Sequence, residues 1–362
     1  MQSPAPEGHV DRRFASVADA FADVLALSDG TGSALAVWHA DRWVLDLWGG
    51  HANVARTRPW RRDSIVMTYS VTKPFAAVCA LLLVERGLLD LDAPLQWTWP
   101  ELRARTTLRQ VLSHECGLVQ LDDQQPEEAL YDWDLLCELL AAQEPAWPPG
   151  IAHGESALFY GHLLGEVVRR VDGRSLGRFL ADEVCGPAGL DFYVGLQSAD
   201  LGRTVDLTGF GPAFFRGVDA NAALRRALGN PPGALDATVV NGDRWRRAEV
   251  PAVNGHGTAR AVARFYKTLH AGQLLPLSLV EEMTTAAPRS TDRVLGTETS
   301  WGLGVAVEDD GWGMGGLGGS LGWWSDEGDY AFAFLTGEIA DHDRSALLEN
   351  EVRGCLGLPP LD

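Results

Sequence analysis

Between Val71 and Arg86 nearly every residue is apolar: Phe75, Ala76, Ala77, Val78, Cys79, Leu81, Leu82, Leu83 and Val84 leave no polar face at a helical repeat. A helix that is hydrophobic all round has no side to show to water, so it must run through the centre of a large core. Gly87 supplies the stop, because glycine takes the left-handed backbone that closes a helix. Pro74 falls in the first turn, where its missing N–H breaks no hydrogen bond. No stretch of eighteen consecutive apolar residues occurs, so the segment reads as a core helix and not a membrane span. Everything else in the chain has to cover it. With 362 residues, 46% of them hydrophobic and 22% charged, there is material for two lobes.

The flanking patterns suggest how. An amphipathic helix is expected from about Val10 to Leu27, with Phe14, Val17, Phe21 and Leu25 on one face. Ser33 to Trp48 reads as a hairpin, in which Ala36-Val37-Trp38 and the run Trp43 to Trp48 flank a turn at Ala40-Asp41-Arg42. After the buried helix the pattern stays mainly helical, with candidates at Leu108–Ser113, Trp133–Gln143, Leu158–Val171 and Leu176–Val184. Residues 200–250 are rich in Gly, Arg and Asp with weak periodicity, and read as an irregular excursion over a site. Ala259 to Ala271 is helical again. Strand-like runs follow at Gly302–Val307, Gly319–Trp324 and Tyr330–Leu335, then a final helix from Ser345 to Cys355. Strands at both ends imply one sheet built from the two termini. The expected division is an α/β domain of residues 1–68 and 250–362, with a mostly helical domain, 69–249, inserted between its halves.

Composition narrows the partners. A net charge of −19 repels phosphates, which argues against nucleic acid and against an anionic membrane surface. The five cysteines lack any C-x-x-C spacing and read as reduced thiols packed as small hydrophobes. Met1 to Val10 has neither the positive start nor the apolar run of a secretory signal, so a cytoplasmic protein is expected. His153 and His162 have no acidic residue at ligand spacing, so no metal or other cofactor is expected.

Ser70 and Lys73 open the buried helix, three residues apart and therefore on one face. A serine hydroxyl needs a neighbouring base to act as a nucleophile, and a desolvated lysine can lose its proton and serve as one. S-x-x-K alone is weak, since a serine cap followed by a solvated lysine is common. Context decides here, because a lysine entering an otherwise apolar helix is expensive to bury without a purpose.

The stretch Asp63-Ser64-Ile65-Val66-Met67-Thr68-Tyr69-Ser70-Val71-Thr72-Lys73-Pro74 and the run Leu83 to Pro94 resemble the serine β-lactamase-like and penicillin-binding-protein-like family, nearest to its class C-like carboxylesterases (family VIII-type esterases). Further similar pieces follow in order: Leu112 to Leu118, Trp147-Pro148-Pro149-Gly150, Leu164 to Gly173, Asn254 to Arg260, and Gly315 to Gly322. The resemblance covers roughly Val37 to Leu335 and implies an α/β, β-lactamase/transpeptidase-like fold: an antiparallel sheet flanked by helices, plus a mostly helical second lobe. It also implies that Ser70 is the nucleophile and Lys73 its catalytic neighbour.

Two motifs depart from the family. A tyrosine usually follows the Pro-Gly element, whereas here Glu155 falls in its place, within His153-Gly154-Glu155-Ser156-Ala157. Either Glu155 is a substituted general base, or the phenol comes from Tyr160 or Tyr69, or it is missing. A carboxylate paired with Lys73 would keep the lysine protonated, which works against lysine as the base. The third motif usually presents Lys or His before a glycine, but Met314-Gly315-Gly316 offers a thioether. Loss of that cation lowers the odds of β-lactam or D-Ala-D-Ala chemistry. The backbone role implied by the family survives: the N–H groups of Ser70 and Leu317 as an oxyanion hole, with Gly315 and Gly316 allowing close approach of substrate. Trp324 could line an acyl pocket or simply pack in the core. His114 and Glu166 read as structural.

The expected function is a serine-dependent acyl hydrolase working through a Ser70 acyl-enzyme on a small or medium ester or amide. The same intermediate could instead pass to an amine or alcohol acceptor, making the protein a transacylase. A third reading is a non-catalytic binding protein on this scaffold.

Overall fold

The computed structural model describes residues 6–28 and 30–361. Its main sheet has seven strands: β1 (Glu7–Val10), β2 (Ser33–His39), β3 (Arg42–Gly49), β4 (Ala306–Glu308), β5 (Gly311–Gly315), β6 (Leu321–Ser325) and β7 (Tyr330–Thr336). They lie in the order β1-β3-β2-β7-β6-β5-β4, antiparallel throughout. β2 and β7 pair along their whole length, Ser33 opposite Thr336 and His39 opposite Tyr330, so runs from near the two ends of the chain meet at mid-sheet. The β2–β3 hairpin turns on Ala40 (φ 48°) and Asp41 (φ 58°). Two successive left-handed residues match the twist of the strands they join.

Alternation along the strands separates two cores. Tyr330, Phe332 and Phe334 of β7 point one way with Leu35 and Val37 of β2, against Phe21 of the helix Ala15–Leu27 and Leu348 of the helix Asp343–Leu356. Ala331 and Ala333 point the other way with Ala34 and Ala36, into a larger core shared with the helix Ala259–His270. Small residues on this side let that helix lie close to the sheet.

The apolar run forms the helix Lys73–Glu85, in which every residue from Lys73 to Leu83 is buried. Phe75 is stacked between Phe192 and Phe265, with ring centroids 3.7 and 3.9 Å away. Gly87 takes a left-handed φ of 68° just past its end. The helix Tyr160–Asp172 packs across it, and near its start Gly161 lies against the backbone of Pro251 and Ala252.

Several elements differ from the sequence expectation. The first helix begins at Ala15 and not at Val10; Glu7–Val10 pairs instead with Leu45–Trp48 as the edge strand, and Asp11 accepts from the Arg13 N–H to cap the turn between them. Residues 200–250 are not irregular: helices occupy Pro212–Ala220, Ala222–Gly229, Ala237–Val240 and Asp243–Arg247. Each is too short to show several turns of periodicity, and the breaks between them hold Asn221, Asp236 and Gly242. The strand Gly311–Gly315 lies outside the strand-like runs of the sequence, because glycine at alternate positions weakens the strand signal. The helix from Leu176 changes at Leu180 to a π-helical turn that runs to Cys185. All five cysteines are free thiols, four of them buried. Among the described residues no helix is long and apolar enough to cross a membrane.

The contact at Gly161 gives a test of this packing. A Cβ there would sit 2.3 Å from the Pro251 carbonyl carbon and 2.6 Å from the Ala252 nitrogen, both backbone atoms that cannot step aside. Gly161→Ala is expected to destabilise the protein by about 1–3 kcal/mol, read as a thermal unfolding midpoint several degrees lower; an unchanged midpoint would refute the contact.

Candidate active site

Ser70 sits in the 3-10 turn Tyr69–Thr72 that runs directly into the buried helix. The residue before it, Tyr69, is left-handed at φ 47°, a strained conformation for a bulky side chain. Its surroundings hold it there: Tyr69 is buried and its hydroxyl donates to the Ala234 carbonyl at 2.9 Å. Gly255 clamps the turn from two sides, accepting from the Thr68 N–H at 2.8 Å and donating its own N–H to Thr72 Oγ1 at 2.9 Å.

Lys73 is fully buried. Its Nζ lies 2.7 Å from Ser70 Oγ, 2.8 Å from Glu155 Oε1, 3.2 Å from the Ala157 carbonyl and 3.3 Å from the Ala252 carbonyl. Four oxygens around one nitrogen suit an ammonium with three N–H bonds better than a neutral amine. Ser70 Oγ in turn donates to Glu155 Oε1 at 3.1 Å. The three groups close a triangle.

The electrostatics of this triangle are set by burial. Burial pushes Lys73 below the ordinary lysine range, opposed by the neighbouring Glu155 carboxylate. Burial alone would lift Glu155, yet the Lys73 charge and hydrogen bonds from Lys73 and Ser70 hold it below the usual carboxylate range. The oxygen cage around Nζ favours ammonium and carboxylate as the resting pair.

Ser70 and Glu155 line a cavity of about 280 Å³. Its walls are largely apolar: Leu224 and Leu228 from the helix Ala222–Gly229, then Val253, Leu295, Trp301 and Met314. Gly315, Gly316 and Leu317 complete the side formed by the end of β5. The approach there is close, since a Cβ on Gly316 would lie 2.3 Å from the Thr68 carbonyl oxygen. His342, which precedes the C-terminal helix, also faces the cavity; burial pushes its imidazole down from the ordinary histidine range.

The structure brings Ser70, Lys73, Glu155, Met314, Gly315, Gly316 and Leu317 together, but not Tyr160 or Trp324. Tyr160 is fully buried, packs beside His114 and donates to the Leu112 carbonyl at 3.3 Å. Burial raises its phenol far above the ordinary range. Tyr69 lines the cavity, yet its hydroxyl is committed to Ala234. Neither phenol has Ser70 or Lys73 as its hydrogen-bond partner. Trp324 is turned by the alternation of β6 onto the helix Ala259–His270, where it stacks on His270 at 3.8 Å and donates to Asp326 at 2.9 Å. It packs the core instead of lining the cavity.

His114 accepts from the Ser156 N–H at 3.3 Å, and burial pushes it down to about 3, so it stays neutral. Glu166 is held by Arg169, Arg170 and Trp133. Among the described residues no group of three or more His, Cys, Asp or Glu side chains is placed to hold a metal. Residues the sequence did not flag include Asp292, Leu295, Trp301 and His342. They come from loops after residue 285 and carry no spacing that would mark them.

Over residues 17–345 the sequence matches the Beta-lactamase family. It is similar to "Esterase/beta-lactamase LipL" of Mycobacterium tuberculosis (strain ATCC 25618 / H37Rv), with 31% identity over 97% of this chain and 86% of that protein. Among solved structures it resembles a family VIII carboxylesterase, with a TM-score of 0.87 and 32% identity over 97% of this chain and 99% of that one. It also resembles a penicillin-binding protein homolog from Caulobacter crescentus, with a TM-score of 0.85 and 31% identity over the same shares. The antiparallel sheet and flanking helices are those of the β-lactamase/transpeptidase-like fold. The chain belongs to the beta-lactamase family.

Proposed function

We propose that this protein is a serine acyl hydrolase of carboxylesterase type, acting through a Ser70 acyl-enzyme on uncharged esters with a small or medium acyl group. The observation that carries this reading is the position of Ser70 Oγ, within hydrogen-bond reach of both Lys73 Nζ and Glu155 Oε1 at the edge of an apolar cavity.

As Ser70 Oγ bonds to the substrate carbonyl carbon, its proton passes to Glu155 Oε1, which it already faces. The Lys73 ammonium remains charged and stabilises the oxygen as negative charge builds on it. The oxyanion is assigned to the backbone N–H groups of Ser70 and Leu317. Glu155 then returns the proton to the departing alcohol oxygen as the C–O bond breaks. Water next attacks the acyl carbon while Glu155 takes its proton. As the bond from the acyl carbon to Ser70 Oγ breaks, Glu155 returns that proton to Oγ and the carboxylic acid leaves. Among the described residues neither lysine nor arginine lines the cavity, and Met314 lines it at the place where the family resemblance leads one to expect a lysine or histidine. A charged acyl group would lose its hydration with no partner in return, so neutral esters are favoured.

A fluorophosphonate probe followed by intact mass is expected to add one label to the wild type and none to Ser70→Ala. p-Nitrophenyl butyrate should be hydrolysed only by the former. Absence of both label and hydrolysis in the folded wild type would refute the enzyme reading and favour a binding protein. If Ser70 is acylated but turnover requires an added amine or alcohol, the protein is a transacylase.

The assignment of the base is tested separately. Glu155→Gln keeps the shape but removes the proton acceptor, and kcat is expected to fall on the order of 10²–10⁴-fold. Rates equal to wild type in both Glu155→Gln and Glu155→Tyr would remove Glu155 from the mechanism.

The pH profile follows from the directions of the two shifts. Glu155 must be ionised, and because its folded range is depressed, activity should persist below the ordinary carboxylate range before falling with acid. Lys73 must be protonated, and because burial lowers it, activity should fall on the alkaline side before free lysine titrates. A profile of kcat/KM against pH checks both limbs; a single limb centred on the ordinary histidine range would contradict the assignment.

A further inference from the structure

We propose that Asp292 is a positioning residue for the Ser70 reaction: one buried carboxylate that holds Glu155, Leu295 and Trp301 in register around the acyl group. The proposal rests on the hydrolase reading above and deepens it.

Asp292 is completely buried. Its Oδ1 accepts from the backbone N–H of Glu155 at 3.2 Å, of Val294 at 2.8 Å and of Leu295 at 2.8 Å. Its Oδ2 accepts from Trp301 Nε1 at 3.0 Å. All four donors are neutral N–H groups, and three of them belong to residues that line the Ser70 cavity: Glu155, Leu295 and Trp301. A capping aspartate needs only its own loop. This one reaches out of its loop to the backbone of the proton acceptor and to the indole of Trp301, another residue of the cavity lining.

Two further contacts show that the loop is a brace. The Arg293 N–H donates to the His153 carbonyl at 3.0 Å, so the loop grips the Glu155 segment at a second point. Asn221, the cap of the helix that carries Leu224 and Leu228 into the cavity, donates to the Val294 and Leu295 carbonyls at 2.9 and 2.8 Å. The proton acceptor, the acyl wall and the covering helix therefore share one anchor. A shift of about 1 Å in such an anchor is enough to lower turnover on the order of 10²-fold.

The chemistry of the anchor supplies its own control. In Asp292→Asn the amide oxygen can serve the three backbone N–H groups, but the amide nitrogen then faces Trp301 Nε1–H, and two donors meet. Trp301→Phe removes the second donor. Trp301→Phe also alters the cavity wall, so it sets the baseline for the double variant. On esters of two to eight acyl carbons, Asp292→Asn is expected to lower kcat about 10²-fold and to flatten the chain-length preference in KM. The double variant Asp292→Asn/Trp301→Phe should recover the kcat of Trp301→Phe to within a few-fold.

Wild-type kcat and chain-length preference in Asp292→Asn would overturn the proposal. So would a double variant that regains thermal stability while its kcat stays at the Asp292→Asn level, because that is the behaviour of a merely structural residue. If Asp292→Asn does not fold, the double variant decides alone: folded with the kcat of Trp301→Phe supports the proposal, and unfolded or as slow as an inactive mutant overturns it. Fluorophosphonate labelling of the wild type separates these outcomes from failure of the hydrolase reading, since a wild type that takes no label fails before any variant is compared.

Discussion

The burial of the Lys73 ammonium is the constraint to which the rest of this structure answers. A lysine without water needs oxygen on every side, and the four that surround Nζ come from three separate parts of the chain: Ser70 on its own turn, Glu155 and Ala157 on the loop before the helix Tyr160–Asp172, and Ala252 beside Gly161. Removing one partner of such a buried pair typically costs about 3–5 kcal/mol, because the other charge is left stranded. The apolar helix, the close contact at Gly161 and the clamp at Gly255 are therefore parts of one arrangement. Each brings a segment to the place where the lysine needs it.

The same cage accommodates Glu155 at the place where the family resemblance leads one to expect a tyrosine. A phenol beside a buried ammonium adds no charge, whereas a carboxylate neutralises the lysine and fixes it as a cation. The roles then divide differently. In the mechanism proposed above, the lysine is a permanent electrostatic partner of Ser70 Oγ, and the proton moves between serine and glutamate. Met314 fits this scheme, since a second cation across the cavity would compete for the same carboxylate.

Much of this was legible in the sequence, for identifiable reasons. An all-apolar helix admits only a central position, and a lysine inside it is expensive to bury without a purpose, which singles out Ser70 and Lys73. Glu155 came into the group only through the family resemblance, with Tyr160 and Tyr69 as its alternatives. The strand pairing of the two termini followed from where the β-rich runs fell. Other features could not be read. Trp324 and Tyr160 lie close in sequence to cavity residues, but which face of a strand or helix a ring takes depends on register, and register put both away from the cavity. The helices between Pro212 and Arg247 are too short to announce a period. Asp292 is a single aspartate in a loop; its four hydrogen bonds join positions up to 137 residues apart, and no local pattern encodes them.

The pairing of β2 with β7 has a consequence for how the chain comes into being. Ser33 and Thr336 are neighbours across the sheet but about 300 residues apart in the chain. At ribosomal rates of about 5–20 residues per second, the β2–β3 hairpin waits roughly 15 to 60 s for its central partner to be made. Throughout that interval one edge of β2, with Leu35 and Val37 on its outer face, has no neighbour, and an open apolar edge is a template for wrong pairing. The helix Lys73–Glu85 is synthesised during the same wait, before three of the four oxygens that cage its lysine, those of Glu155, Ala157 and Ala252. The nascent chain thus carries an open strand edge until β7 emerges, a burden for the cell's chaperones that the finished fold conceals.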